Sequence, residues 1–180
     1  DFDMQIRHPY WVKEGDFKVI VNGDTVVKKS EPSSYVSAGK SWKSGDVIEV
    51  LYPMYTHTED LPGVSDYVAL MHGPIVLSAK TGTANLNGLV ADDGRWSHIA
   101  SGALESLDQA PMLASKKEDI PSKVEPVKGE PLHFKAPYLF AAKKDANLLL
   151  EPFYEVHDAR YMMYWMVLTD PSVLERLKKE

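Results

Sequence analysis

The dipeptide Asn22-Gly23, which stands between two β-branched runs, is the sequence feature that most restricts the fold. Both residues of a tight hairpin turn need positive φ, which Asn and Gly tolerate, so residues 17–27 are predicted to form a β-hairpin. Further strands are predicted from turn-bounded apolar runs at 4–13, 34–42, 47–52, 67–72, 74–78, 134–142 and 148–154. No helical pattern separates the early runs, which favours antiparallel pairing.

Two stretches lack strand patterning. Residues 56–65 are polar and contain Pro62 and Gly63, which predicts an exposed loop. Residues 80–135 are small, polar or rich in Lys, Glu and Pro, which predicts irregular structure with one helical turn near 103–107.

Residues 159–168 form an aromatic and Met-rich ribbon, Ala-Arg-Tyr-Met-Met-Tyr-Trp-Met-Val-Leu. Its two alternating faces are both apolar, which predicts one strand that is buried on both sides and lies between earlier strands. Asp170-Pro171 then predicts a helix start, with Asp as the N-cap, and a short helix to the end of the chain. The predicted fold class is therefore all-β, an antiparallel β-sandwich with a short C-terminal helix.

Composition rules out several classes of function. The chain has no cysteine, so disulfides and cysteine-based sites are absent. The net charge of -6 argues against nucleic-acid binding, and no apolar run is long enough for a membrane span. The motifs of common cofactor and hydrolase sites are missing, so no cofactor and no metal site is predicted. The chain begins at Asp1 without a signal peptide, which we expect of a piece of a longer protein, with a processed mature terminus as the alternative.

Two polar clusters are candidate sites. His157, Asp158 and Arg160 precede the ribbon and could form a polar site at a strand end, but a structural corner is favoured because charged residues before a buried strand commonly need partners. His57 stands beside Glu59 and Asp60 and could serve metal or acid–base chemistry, or belong to a solvated acidic loop.

Aromatic residues near the N-terminus suggest a third site. His8, Tyr10 and Trp11 could stack on a sugar, as could Trp42, while core packing is the structural alternative. A glycosidase acid–base pair could be sought among Glu49, Glu59, Asp60, Glu151 and Glu155. Sequence spacing does not establish the required gap across a cleft, so no catalytic residue is assigned.

The order of several motifs resembles a known family. These motifs are Ile-Arg-His-Pro-Tyr-Trp at 6–11, Val-Asn-Gly at 21–23, Trp-Lys-Ser-Gly-Asp-Val-Ile-Glu-Val at 42–50 and Val-Ala-Leu-Met-His-Gly-Pro-Ile-Val-Leu at 68–77. They are similar to the β-sandwich region that follows the helical barrel in β-L-arabinofuranosidase-like glycoside hydrolases of family 127. The segment 157–165 resembles the C-terminal part of Bacteroides-type members.

The resemblance implies an architecture and a role. The sandwich is expected to be jelly-roll-like and in two lobes: residues 1–80 plus 156–170 form the main sandwich, 81–155 an inserted second lobe, and 171–180 a helical tail. The family's catalytic glutamate and zinc-bound cysteines lie in an (α/α)6 barrel, and none of them can be matched here.

The expected function is therefore a non-catalytic accessory region of an exported, extracellular or periplasmic glycoside hydrolase. Its expected partners are the barrel of the same polypeptide and a plant-type glycan. A carbohydrate-binding module and an interaction or scaffold domain are the alternatives. Solvent-exposed tryptophans would favour glycan binding, whereas wholly buried ones would count against it.

Overall fold

The computed structural model describes residues 1–27, 29–39, 41–84, 106–170 and 172. The chain folds as two compact units, Asp1–Tyr55 and Thr56–Glu180. The strands are β1 (Gln5–His8), β2 (Lys18–Val21), β3 (Asp24–Val27), β4 (Ser34–Ser37), β5 (Ile48–Leu51), β6 (Thr56–Leu61), β7 (Val64–His72), β8 (Ile75–Gly82), β9 (Glu125–Pro126), β10 (Phe134–Lys135), β11 (Leu149–Pro152), β12 (Arg160–Met162) and β13 (Tyr164–Met166). The 3-10 helices are Leu107–Gln109, Lys117–Asp119, Pro121–Lys123, Lys143–Asp145 and Phe153–Glu155.

The first unit contains two small antiparallel sheets, one made of β1 and β4 and the other ordered β3-β2-β5. Their apolar faces share one core, whose buried members are Val12, Phe17, Val19, Val27 and Ala38. Side chains from both sheets pack against this core, so the unit is a small sandwich. The predicted hairpin is confirmed, because β2 and β3 are joined at Asn22 and Gly23, whose φ angles are 51° and 89°.

The second unit is built on an eight-stranded antiparallel sheet ordered β13-β7-β8-β11-β10-β9, with β6 on β7 and β12 on β8. Its core lies between this sheet and the segments that hold Leu113, Ile120, Leu139 and Phe140. Mostly antiparallel sheets in both units confirm the all-β fold class.

The segment predicted as a loop at 56–65 is instead a hairpin. β6 pairs with β7 from Thr56 against His72 to Leu61 against Val64, and Pro62-Gly63 makes the turn with Gly63 at φ 79°. The loop prediction was wrong because a strand can carry polar side chains. The side chains of β6 stay mostly half-exposed, while its backbone forms hydrogen bonds along the long strand β7. The Pro-Gly pair marks a two-residue turn.

The C-terminal ribbon is two strands. β12 pairs antiparallel with the far end of β8, and β13 pairs antiparallel with the first half of β7. Because β7 and β8 run in opposite directions, β12 and β13 must as well, so the chain reverses at Met163. Its two strands pair with β8 and β7, both of which precede the ribbon in the sequence. The prediction of burial on both faces was wrong, because Trp165 is fully buried while Tyr161 and Tyr164 remain 45% and 41% exposed.

The unit boundary differs from the predicted division at residue 80. The strands β7 and β8, assigned to the main sandwich from sequence, pair with β11, β12 and β13 and so belong to the second unit. The predicted C-terminal helix falls mostly outside the described residues. Within them, the Ser172 amide donates to Asp170 Oδ1 at 2.9 Å, the bond that an N-cap makes. No helix in the described part is both long and apolar enough to cross a membrane.

Candidate functional site

The predicted residues of the first unit are part of its framework. His8 ends β1 and is fully buried. Its Nδ1 lies 2.6 Å from Ser30 Oγ, and its Nε2 lies 2.9 Å from the Val12 carbonyl oxygen. Trp11 is half-buried against the core and 6.0 Å from the ring of Tyr52. Tyr10 is 52% exposed, so of these three it is the side chain most open to a ligand.

The two other described tryptophans, Trp42 and Trp165, offer little surface for stacking on a sugar. Trp165 is fully buried, and Trp42 packs on the first core while its Nε1 donates to the Phe2 carbonyl at 3.0 Å. Trp96 lies outside the described residues. The structural alternative for Trp11 and Trp42, core packing, is the one that their contacts support.

His57 is on β6 and belongs to a small polar group. Its Nε2 is 3.3 Å from Glu59 Oε1, and the neighbouring Thr56 Oγ1 is 3.1 Å from His72 Nδ1. Burial lowers the pKa of His72, and the charge of His57 lowers it further. Both effects favour the neutral form of the His72 imidazole.

His157 and Asp158 lie at a bend before β12, and both are exposed. Asp158 has a φ of 49°, a conformation that Asp tolerates better than most residues. Arg160, two residues further, begins β12, and its Nε donates to the Ala84 carbonyl at 2.7 Å. The bend thus delivers Arg160 to the end of β8, where a groove opens.

This groove, which we call the Arg160 groove, has a volume of about 540 Å³. Strand β12 and the end of β8 form part of its wall, and the segment around Leu107–Gln109 forms another part. Lys144 donates from Nζ to the backbone oxygen and Oε1 of Gln109 at 3.2 and 3.3 Å. The described lining of the Arg160 groove combines aromatic, cationic and amide side chains, a mixture suited to a polar ligand with an apolar face. Among these side chains are Tyr67, Gln109, Lys144, Arg160, Tyr161 and Met162.

A second cluster was not anticipated from sequence. His133, Glu151 and Glu155 place one ligand atom each within 4.8 Å of the others. Glu151 is buried and pairs with Lys80 at 3.2 Å, and His133 Nε2 lies 3.5 Å from Glu155 Oε2. From sequence, Glu151 and Glu155 were candidates for a glycosidase acid–base pair, and His133 was not considered. The pairing of β10 with β11 is what brings His133 beside them.

The Lys143–Asp145 helix places one buried carboxyl near Lys144 of the groove. Asp145 is 7% exposed, and its Oδ2 has no hydrogen-bond partner among the described residues. Burial raises the pKa of this carboxyl, and Lys144 only partly offsets the effect. Sequence patterning did not identify this buried carboxyl.

Comparison with known proteins divides the chain at the boundary between its two units. Residues 1–54 match the family model described as "Beta-L-arabinofuranosidase, GH127 middle domain". Residues 57–167 match the model DUF4986, described as a domain of unknown function. No match was found among the curated proteins.

One solved structure titled "Glycoside hydrolase" aligns with 93% of this chain at 15% identity and a TM-score of 0.48. The aligned region is 28% of that protein, so this chain spans little more than a quarter of its length. The resemblance drawn from the motifs of the first unit is confirmed by the family match. The chain contains a GH127-like region at its N-terminus, and through residues 57–167 it belongs to the DUF4986 family.

Proposed function

We propose that this chain is a non-catalytic accessory region of an exported β-L-arabinofuranosidase-like glycoside hydrolase. In this proposal it packs against a catalytic (α/α)6 barrel of the same polypeptide, which it braces or whose substrate entrance it shapes. One observation carries the proposal: the match to the GH127 middle domain, residues 1–54, coincides with the first compact unit, Asp1–Tyr55.

The first unit has the properties of a domain that needs a partner. In a domain of this size, a single hydrophobic core contributes only about 3–5 kcal/mol of folding stability. Here the fully buried apolar residues are few and mostly small. Large apolar side chains meanwhile remain on the surface of the unit: Phe2, Tyr10, Val26, Tyr35, Val47, Leu51 and Tyr52. Exposed apolar side chains that form a contiguous patch mark an interaction surface, and in this proposal these residues supply the face that packs on the barrel.

The acidic residues of the chain support a non-catalytic role. Glycosidases place two carboxyl groups about 5–10 Å apart on either side of the scissile bond. The described lining of the Arg160 groove contains cations and tyrosines without a carboxylate. Glu151 and Glu155 do lie close together, but Glu151 is buried and held by Lys80.

The hydrolysis experiment uses the 180-residue chain and p-nitrophenyl arabinofuranosides. We expect no turnover above buffer. Turnover by the purified chain that disappears in Glu151→Gln or Glu155→Gln would overturn the proposal.

The packing experiment compares one substitution in two contexts, the chain alone and the full-length natural protein. Tyr35→Ser, at a 65% exposed position, should leave the melting temperature of the chain unchanged but lower that of the full-length protein. Tyr138→Ser, at an 84% exposed position of the second unit, is the matched control for a surface tyrosine. If Tyr35→Ser changes the melting temperature equally in both contexts, barrel packing through β4, the strand that contains Tyr35, would be contradicted.

Direct carbohydrate binding is a second candidate function, favoured by the Arg160 groove. Tyr161 offers a half-exposed ring, and Lys144, Gln109 and Arg160 offer donors close to it. Calorimetric titration with arabino-oligosaccharides tests this role. Binding that Tyr161→Ala and Lys144→Ala abolish, and Tyr138→Ala leaves intact, would support it, whereas no heat of binding in the wild-type chain would reject it.

A further inference from the structure

We propose that His133, Glu151 and Glu155 bind one divalent transition-metal ion, with Zn²⁺ as the preferred probe. His133 directly precedes β10, Glu151 lies on the neighbouring strand β11, and Glu155 lies shortly after β11. Phe134 pairs with Leu150, which places His133 across from Glu151, and Glu155 ends the 3-10 helix that directly follows β11. Donors fixed by paired strands are already held near one another without any ion.

The separations suit a metal ion. Donor atoms that share one tetrahedral Zn²⁺ lie about 3.4 Å apart, given metal–ligand distances of about 2.1 Å. His133 Nε2 and Glu155 Oε2 are 3.5 Å apart, and all three donors fall within 4.8 Å of one another. The carboxylate of Glu155 is 42% exposed and so has room to close the remaining gap.

The orientation of the imidazole gives independent support. His133 Nδ1 lies 2.9 Å from the Pro131 carbonyl oxygen, which can only accept a hydrogen bond. The Nδ1 atom therefore carries the proton in the neutral ring, which leaves the lone pair on Nε2, the nitrogen that lies 3.5 Å from Glu155 Oε2. Metal-bound histidines are typically oriented by a carbonyl in this way.

The chemistry of the donors selects the class of ion. One imidazole with two carboxylates favours a transition dication over Ca²⁺ or Mg²⁺, which prefer oxygen ligands alone. Three protein donors leave at least one coordination position for water. An ion at this point would tie β10, β11 and the following helix together.

Lys80 is the competitor for the site. Its ammonium lies 3.2 Å from Glu151 Oε1 and 3.2 Å from Oε2, and so neutralises a carboxylate whose side chain is only 9% exposed. The Lys80 side chain is itself 43% exposed and can withdraw into water. A metal ion would replace Lys80 as the counter-charge of Glu151, so removal of the lysine charge should strengthen metal binding.

The first experiment titrates the EDTA-treated and dialysed chain with ZnCl₂ by calorimetry and with CoCl₂ by visible absorption. We expect one site per chain and cobalt d–d bands of four- or five-coordinate geometry. His133→Ala and Glu155→Gln should each weaken Zn²⁺ binding by at least about tenfold. Glu130→Gln, an exposed carboxylate near His133 in sequence, is the matched control and should bind as the wild type does.

The second experiment separates a metal site from a plain network of ion pairs. Lys80→Gln should lower the melting temperature of the metal-free chain, since Glu151 then lacks a counter-charge, and Zn²⁺ should restore it. Its affinity for Zn²⁺ should exceed that of the wild type. The proposal is overturned if Zn²⁺ gives no binding heat, if binding survives both His133→Ala and Glu155→Gln, or if Zn²⁺ fails to restore Lys80→Gln.

Discussion

The imidazole of His8 stacks on the ring of Phe17, with centroids 4.5 Å apart and an interplanar angle of 10°. Both residues are buried, and both ring nitrogens of His8 are engaged by Ser30 and Val12. His8, which was proposed from sequence as a sugar contact, is therefore a buried, hydrogen-bonded residue that packs on the first core.

His8→Ala should destabilise the first unit by about 2–4 kcal/mol, because it leaves a cavity and removes one buried and one part-buried hydrogen bond. Ser30→Ala should cost about 1–2 kcal/mol, since it leaves Nδ1 unsatisfied. Urea unfolding followed by near-UV circular dichroism measures both. Tyr10→Ala, at an exposed position, serves as the control and should cost less than about 1 kcal/mol. A His8→Ala variant of wild-type stability would contradict this structural role of His8.

Trp165→Ala should destabilise the second unit by about 3–5 kcal/mol, as expected for loss of a fully buried indole. Trp165→Phe should cost only about 1–2 kcal/mol. The phenyl ring keeps much of the packing on Phe140, and the substitution removes an indole N–H that has no partner among the described residues. Thermal and urea unfolding provide the comparison, with the half-exposed Tyr164→Ala as the control. Equal losses for the two Trp165 variants would contradict the prediction that a phenyl ring keeps much of the packing on Phe140.

Gly23→Ala should destabilise the first unit by about 1–2 kcal/mol, because Gly23 has a φ of 89°. Asn22→Gly keeps the turn conformation but loses two side-chain bonds, from Nδ2 to Asp46 Oδ1 and from the Val47 amide to Oδ1, each 2.9 Å long. Its expected cost is about 1 kcal/mol. Urea unfolding ranks the two variants. A neutral Gly23→Ala would mean that the turn relaxes to another type.

Asp145 and Asp46 should give opposite dependences of stability on pH. Burial raises the pKa of Asp145 in the folded state, so stability falls as pH rises from the unfolded to the folded pKa. A hydrogen bond from the Lys43 amide, aided by Asn22, lowers the pKa of Asp46, so its contribution is lost as pH falls through the folded value. Unfolding free energies of Asp145→Asn and Asp46→Asn across the acidic range test this. Toward neutral pH, the unfolding free energy of Asp145→Asn should rise relative to that of the wild type, and that of Asp46→Asn should fall.

The two units should differ in their ability to fold alone. Residues 56–180 contain every strand of the eight-stranded sheet and its core, so this fragment should unfold cooperatively. Residues 1–55 have a core too small for independent stability and should remain largely unfolded. Far-UV circular dichroism of the separate fragments measures both. A cooperative transition in fragment 1–55 would weaken the inference that this unit needs a partner.

Local turn chemistry accounts for the parts of the fold that were predicted from sequence. Asn22-Gly23 indicates its hairpin because few residue pairs tolerate two positive φ values, and Pro9 ends β1 because it cannot donate to a ladder. The candidate sites were less predictable. Arg160 was identified from sequence and does line a groove, whereas Lys144 and Gln109 reach that groove only through tertiary packing.

The sequence by itself determined the all-β class, the N-terminal hairpin and the family resemblance, since these depend on residues close together along the chain. Tertiary structure alone decided three things: that β6 is a strand, that the ribbon reverses at Met163, and that His133 meets Glu151. Each depends on hydrogen bonding or register between segments distant in sequence. The polarity of a segment indicates which of its faces can be buried. Which face is actually buried depends on the strand with which the segment pairs.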